Sequence, residues 1–240
     1  MACQFGCSKG RCKVAPSDVL QRTYQLKYRN NTGTCFAVDV DAKQYLVTAR
    51  HVVEGIAQRD RVALTHEGQW VDGEVDLVGA GQGNLDIAVI SPLIPLIIGN
   101  TLLCMAEDLF LSMDVYFLGF PYGLQMSVPK TVNSGYPIPL VKRGIISCFD
   151  LSDGKYSHPW LDGHNNPGFS GGPVVAHNHK QNRIGVIGVV SGYKSVSQEV
   201  MHQSQATPLT IQYNTGIINT VSIAAVLDII RANPIGCQIP

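Results

Sequence analysis

Three short segments of this chain hold residue types that can work together as a catalytic unit. Asn166-Pro167-Gly168-Phe169-Ser170-Gly171-Gly172-Pro173 sets a serine among small residues, and an apolar Val174-Val175 run follows. Glycine has no Cβ, so such a stretch can turn tightly and approach a ligand closely. Its serine hydroxyl can project into a cleft while neighbouring backbone N–H groups point at a developing oxyanion. Upstream lie Thr48-Ala49-Arg50-His51-Val52-Val53 and Leu85-Asp86-Ile87-Ala88-Val89, so His, Asp and Ser occur in that order. A serine hydroxyl is a poor nucleophile at neutral pH and needs a base within hydrogen-bond reach. Imidazole titrates near neutrality and can take the proton and return it. A carboxylate beside the imidazole fixes its tautomer.

These motifs, in this order and at this spacing, resemble the trypsin-like serine proteases, and most nearly the HtrA (Deg) type without a PDZ domain. Two further segments carry the resemblance. One is Ile94-Pro95-Leu96-Ile97-Ile98-Gly99 with Val115-Tyr116-Phe117-Leu118-Gly119-Phe120-Pro121-Tyr122-Gly123, and the other is Arg143-Gly144-Ile145-Ile146-Ser147. It runs from about Tyr24 to about Asn233. The ordered set is far more specific than a lone GxSGG. The resemblance implies Ser170 as nucleophile, His51 as general base then acid, and Asp86 as its orienter. The backbone N–H groups of Gly168 and Ser170 would form the oxyanion hole. Asp41, Asp72 and Asp76 are competing acids; only Asp86 precedes an apolar Ile-Ala-Val-Ile strand in the family pattern. Phe169 departs from the family. Zymogen-activated relatives place Asp there, paired with a freed N-terminal amine, and HtrA proteins usually have Asn. Phe forms no ion pair, and no Ile-Val-Gly-Gly-like activation sequence is present, so activation of the trypsin kind is not expected.

The elements that must position these residues read as strands. Candidates are Tyr24–Tyr28, Thr34–Val40, Gln44–Thr48, Arg61–Thr65, Gln69–Val78, Ile87–Ser91, Val115–Gly119, Leu140–Cys148, Gly172–His177, Ile184–Ser191 and Gly216–Asn219. They are rich in Val, Ile, Leu and Tyr and are punctuated by Gly, Asn, Asp and Pro. Turns are expected at Asn30-Asn31-Thr32-Gly33 and from His177 to Asn182. From Thr220 to Ala232, Ile223, Val226, Leu227 and Ile230 recur at helical spacing. Thr220 or Ser222 can cap that helix, and Asn233-Pro234 stops it. Many short strands suggest an all-β fold. The resemblance makes it two six-stranded antiparallel β-barrels of the chymotrypsin/trypsin type with a C-terminal α-helix. The expected divisions are an irregular leader at 1–17, barrels at 18–112 and 113–218, and a helix and tail at 219–240. The cleft would lie between the barrels.

The 240 residues suit one large domain or two small ones. Eighteen basic and eighteen acidic residues give zero formal net charge. Neither a nucleic-acid-binding stripe nor a polybasic membrane patch is present. The N-terminus lacks an apolar h-region, so a cleavable secretory signal is not expected. Ser91 to Met105 is apolar but carries two prolines, so no membrane span is expected. The expected location is the cytoplasm, or delivery by a route without a cleavable signal. The cysteines number seven, an odd count. Secreted relatives of trypsin place a cysteine after the catalytic His, where this chain has Val52. Cys35 therefore lacks its family partner, which suits a reducing compartment. Cys3, Cys7 and Cys12 have no usual zinc spacing. No metal and no cofactor are expected.

The expected partner is a protein or peptide substrate, with a homo-oligomer allowed. Val190-Ser191-Gly192-Tyr193 resembles the edge strand that pairs with an extended peptide. Leu161 to Asn166 and Ser191 to Tyr193 would wall the primary pocket. His164 falls near its base by count, and a solvent-exposed loop histidine is the plainer alternative. His177-Asn178-His179 reads as a solvated hairpin tip. Gln125 to Pro139 reads as a lid loop or a surface excursion. The leading expectation is an ATP-independent serine endopeptidase. The alternatives are a peptide-binding or chaperone-like module with a latent triad, and a viral-type polyprotein-processing protease. The initiating Met1 and the HtrA-like middle segment favour a free-standing bacterial protein over the last.

Overall fold

A computed structural model describes residues 17–99, 101–178, 183–203 and 205–240. The leader cysteines and His179 lie outside the described residues. After a short helix α1 (Ser17–Gln21), six strands follow: β1 (Thr23–Tyr28), β2 (Asn31–Val40), β3 (Lys43–Thr48), β4 (Asp60–His66), β5 (Gln69–Ala80) and β6 (Ala88–Pro92). They pair antiparallel in the order β3-β2-β1-β4-β5-β6, and β6 returns to pair with β3, closing a barrel. Closure removes the free edges that an open sheet would present. The strand β7 (Leu103–Cys104) leads to the second sheet. That sheet holds β8 (Asp114–Gly119), β9 (Leu140–Asp150), β10 (His158–Asp162), β11 (Pro173–Asn178), β12 (Arg183–His202) and β13 (Gln205–Ser222). Between β8 and β9 lies α2 (Lys130–Asn133). The order is β11-β8-β9-β10-β13-β12, and β11 also pairs with β12, so this sheet closes too. β7 joins β12 in parallel. Helix α3 (Ile223–Ala232) and β14 (Cys237–Gln238), which pairs with β3, complete the chain.

The strand sequences explain where the core sits. β3 is buried at Gln44 through Thr48 rather than at alternate positions, because both of its faces are covered. Leu46 joins Tyr24, Leu26, Ala37 and Ile90 in one apolar cluster inside the first barrel. Val47 and Tyr45 point the other way, into a cluster with Leu118, Val175, Val189 and Val226 from the second barrel and α3. A third cluster, with Phe117, Ile146, Leu161, Phe169 and Ile218, fills the second barrel. Each fully buried Val, Leu, Ile or Phe contributes about 1.5–3 kcal/mol. The middle cluster therefore fixes one barrel against the other. Ser222 caps α3 by accepting from the Ala224 N–H at 3.3 Å, and Ile223, Val226 and Ile230 face inward.

Several strand expectations need correction. Asn31, Thr32 and Gly33 are not turn residues; they belong to β2 and pair with Tyr28, Lys27 and Leu26. His177 and Asn178 end β11 rather than sit in a turn. β10 carries no uninterrupted apolar run, and Pro159 within it argues against a central strand; Pro159 pairs only with Phe149 of β9, because β13 meets β10 at Leu161 and Asp162. The largest difference is the hairpin of β12 and β13, which runs well past Ser191 and begins long before Gly216. Its outer half alternates Leu209, Ile211 and Tyr213 with Thr210, Gln212 and Asn214. That period of two is a strand signal, diluted by Ser, Gln and Thr. Within Gln125–Pro139, α2 and a bridge between Met126 and Ile138 add local structure.

Candidate active site

His51 stands in a single 3₁₀ turn, Arg50–Val53, directly after β3. Val52 and Val53 are buried beneath it, so the turn is anchored while the imidazole stays open to solvent. Arg50 reaches the Gly81 and Gly83 carbonyls at 2.6 and 2.9 Å and braces the loop that carries Asp86. Asp86 meets His51 twice. Its Oδ2 lies 2.7 Å from His51 Nδ1, and its Oδ1 accepts the His51 backbone N–H at 3.0 Å. A carboxylate at Nδ1 selects the tautomer protonated there and leaves Nε2 as an acceptor. Asp86 Oδ2 also accepts from Ser191 Oγ at 2.8 Å. Burial alone would raise the Asp86 pKa, but the bonds from the His51 ring, Ser191 and the His51 backbone outweigh it and hold the carboxyl below its ordinary value. Of the competing acids, Asp76 accepts the Arg59 N–H and Asp41 occupies a turn at φ 50°.

The loop that carries Ser170 is held by Phe117 and by Thr34. Phe169 is fully buried, edge-on to Phe117 with ring centroids 5.1 Å apart. An apolar anchor thus occupies the position where an ion pair was ruled out from sequence. The Ser170 carbonyl accepts the Thr34 N–H at 2.8 Å. Thr34 Oγ1 donates to the Gly168 carbonyl at 2.7 Å and accepts the Phe120 N–H at 3.1 Å, while the Thr34 carbonyl accepts from Thr48 Oγ1. One buried threonine of the first barrel therefore ties the loop to both barrels. Gly168 has φ +106°, and a Cβ there would run into the Phe120 carbonyl. Gly171 has φ +84°, and its Cβ would overlap the Thr34 carbonyl. No other residue type fits either position without moving the loop.

The Gly168 and Ser170 amides are oriented by the carbonyls across their own peptide bonds. The Pro167 carbonyl accepts the Tyr122 N–H at 2.9 Å, and the Phe169 carbonyl accepts the Gly172 N–H at 2.8 Å. Both peptides are trans. The N–H of Gly168 and the N–H of Ser170 therefore point away from those contacts. Among the described residues, neither has a hydrogen-bond acceptor. Two unspent donors beside a serine hydroxyl are what a developing oxyanion needs. The Ser170 hydroxyl itself donates to the Ser191 carbonyl at 3.2 Å. Among the described residues it makes no bond to the His51 ring. Catalytic bonds in unliganded sites are often loose and tighten only with substrate.

The expected substrate edge is corrected at one end. Val190 is fully buried, and the Ser170 loop takes both its polar groups: Gly171 N–H donates to its carbonyl and its N–H donates to the Gly172 carbonyl. From Ser191 onward this side of β12 pairs with no strand among the described residues. Gly192 and Tyr193 pair on their other side with Asn219 and Ile218 of β13. His164 is exposed, whereas its neighbour Asn165 is buried. The 163–166 segment is fastened to β13 by Gly163 N–H to the Gly216 carbonyl at 2.8 Å and Asn214 Nδ2 to the Asn165 carbonyl at 2.7 Å. Sequence reasoning missed Thr34, Tyr122 and the Asp86 contact of Ser191. They reach the site across sheets, and no local spacing marks them. Cys35, Cys104, Cys148 and Cys237 are free thiols, and burial pushes the Cys104 pKa up to about 11.

Two closed antiparallel barrels with a terminal helix, and a His, an Asp and a Ser converging from the loops between them, define the chymotrypsin-like fold. The chain belongs to the trypsin-like peptidase domain family, whose model matches residues 33–189. Among solved structures, an HtrA-type protease, an AlgW variant with a tripeptide, matches at 19% identity and TM-score 0.56 over 90% of this chain. A serine endoprotease from Yersinia pestis matches at 17% identity and TM-score 0.58, also over 90% of this chain. This chain spans 61% and 63% of the lengths of those two proteins. The comparison with curated proteins finds no match. Among the described residues, no helix is long and apolar enough to cross a membrane.

Proposed function

We propose that the protein is a serine endopeptidase of the HtrA type that cleaves polypeptides without ATP. An extended substrate pairs with the edge from Ser191 to Tyr193 and presents its scissile carbonyl to Ser170. The Ser170 hydroxyl rotates from the Ser191 carbonyl onto His51 Nε2. Oγ then attacks the carbonyl carbon while its proton passes to Nε2. The Gly168 and Ser170 N–H groups take the oxyanion. The imidazolium, steadied by Asp86, protonates the leaving amine, and the C–N bond breaks to leave an acyl-Ser170 ester. Water, deprotonated by His51, attacks that ester and releases the acid. The reaction as proposed needs no cofactor. The pair of unspent amides flanking Ser170, with their partner carbonyls pinned, is the observation that carries this reading.

A latent triad released by ligand is the second reading, favoured by the Ser170–Ser191 bond in place of a Ser170–His51 bond. Incubation with an unfolded protein in the absence of nucleotide, with the products sequenced, separates the two. The proposal expects internal cuts that vanish in Ser170→Ala. Cuts that appear only after a second peptide is added favour the latent form, and none under either condition refutes the peptidase reading.

A further inference from the structure

The segment from Gly163 to Ser170 carries both oxyanion amides but forms no regular secondary structure apart from its first-barrel and β13 tethers. One more group reaches it, from the strand below. Lys142 lies on β9 opposite Phe117 of β8, and residues directly opposite in a ladder share a face. Phe117 is fully buried in the second barrel, so Lys142 also points inward and is only partly exposed. Its ammonium donates to the His164 carbonyl at 2.7 Å and to Asn166 Oδ1 at 2.6 Å. It also stands 5.4 Å from the centroid of the Phe169 ring, within the range of cation–π attraction. Three successive parts of the loop therefore converge on one cation. Among the described residues no carboxylate pairs with it.

The consequence passes through Asn166. Its side-chain oxygen is held by Lys142, and its backbone carbonyl accepts the Phe169 N–H at 3.2 Å. That second bond closes the turn around Pro167 and Gly168, the peptide whose N–H faces the oxyanion. Burial works against the ammonium and lowers its pKa below the usual lysine value. Charged lysine has three donors and no acceptor, which suits a group surrounded by a carbonyl, an amide oxygen and a ring face.

We infer that Lys142 is a positioning residue that holds the 163–170 loop in its oxyanion-binding shape, standing where Phe169 rules out an ion pair. It touches no reacting atom and acts through His164, Asn166 and Phe169. The inference rests on the serine-peptidase reading of the site. The loop would then be set by an internal cation rather than by a newly cut chain end.

The test compares the wild type with Lys142→Met, which keeps the apolar stem and removes the charge, and with Lys142→Arg, which restores a cation. Two rates are read in each: fluorophosphonate labelling of Ser170, and deuterium exchange at the Phe169, Gly171 and Gly172 amides. Lys142→Met is expected to label roughly 10- to 100-fold more slowly, somewhat less than loss of a whole oxyanion donor, and to exchange about tenfold faster at those amides. Lys142→Arg is expected to recover both to within about threefold. Asn166→Ala, which removes one of the two oxygens, is expected to shift both in the same direction by less. Unchanged labelling and exchange in Lys142→Met overturn the inference, as does an arginine variant no better than the methionine one. If the wild type does not label at all, the peptidase reading has failed, and unchanged exchange in Lys142→Met still overturns the tether.

Discussion

Replacing Thr34 by valine keeps the shape of a fully buried side chain and deletes its hydroxyl. In the wild type that oxygen donates to the Gly168 carbonyl at 2.7 Å and accepts the Phe120 N–H at 3.1 Å. Valine leaves one acceptor and one donor without partners, at about 1–3 kcal/mol each. The added methyl returns about 0.8 kcal/mol of apolar burial. The net expectation is a loss of about 1–5 kcal/mol, a large share of the roughly 5–15 kcal/mol that holds a typical domain. Urea unfolding measures it, with an unchanged denaturant slope as the sign that both states keep their compactness. Thr34→Ser, which retains the hydroxyl, is expected to lose well under half as much. The freed Gly168 carbonyl also loosens the oxyanion turn, so labelling of Ser170 should slow by about tenfold in the valine variant, equivalent to about 1.4 kcal/mol. A valine variant within about 0.5 kcal/mol of wild type, or a serine variant as unstable as the valine one, would refute the view that this hydroxyl joins the barrels.

Other variants probe the remaining parts. Gly168→Val places a branched side chain at φ +106° against the Phe120 carbonyl; it is expected to cut the labelling rate by roughly 10²–10³ while far-UV circular dichroism stays that of a β protein. Asp86→Asn is expected to lower kcat by about 10⁴ through the wrong imidazole tautomer, read on any peptide the wild type cleaves. The carboxyl of Asp86 is held below its ordinary value. Its stabilising contribution is therefore complete above about pH 4 and is lost as pH falls through the lowered folded value, so acid unfolding of Asp86→Asn should be less steep. Arg22→Met removes a fully buried guanidinium bonded to Asp39 at 2.9 and 2.7 Å and to the Gly99 carbonyl. Asp39 then keeps the Gln44 Nε2 and Thr101 Oγ1 donors but loses its counter-charge, and the variant is expected to destabilise by about 3–5 kcal/mol in chemical denaturation.

The candidate triad residues were the easiest to read in sequence, because each sits in a short motif whose neighbours have a local reason to be there. Gly168 and Gly171 serve left-handed backbone, and the apolar residues after His51 and Asp86 are the barrel itself. Supporting residues were hidden for the opposite reason. Thr34 meets Gly168 across 134 positions, and Ser191 meets Asp86 across 105. Nothing near either residue announces a partner that distant. Strand reading failed where burial and periodicity part company. The outer β12–β13 hairpin leaves Val196, Leu209, Ile211 and Tyr213 exposed and reads as loop because polar residues dominate it, whereas Gln44–Thr48 of β3, buried on both faces, was legible as a strand. Phe169 looked like a lost ion pair from sequence; in the fold it is an apolar anchor in the second barrel.

Fluorophosphonate labelling of the intact protein, located by peptide mass spectrometry and repeated in His51→Ala, tests the central claim most directly. An assembled site predicts one adduct, on Ser170, lost or slowed by at least about 10³-fold without the imidazole. A folded protein that takes no adduct, or takes it equally well without His51, would contradict the assignment of Ser170, His51 and the two flanking amides as a working catalytic unit.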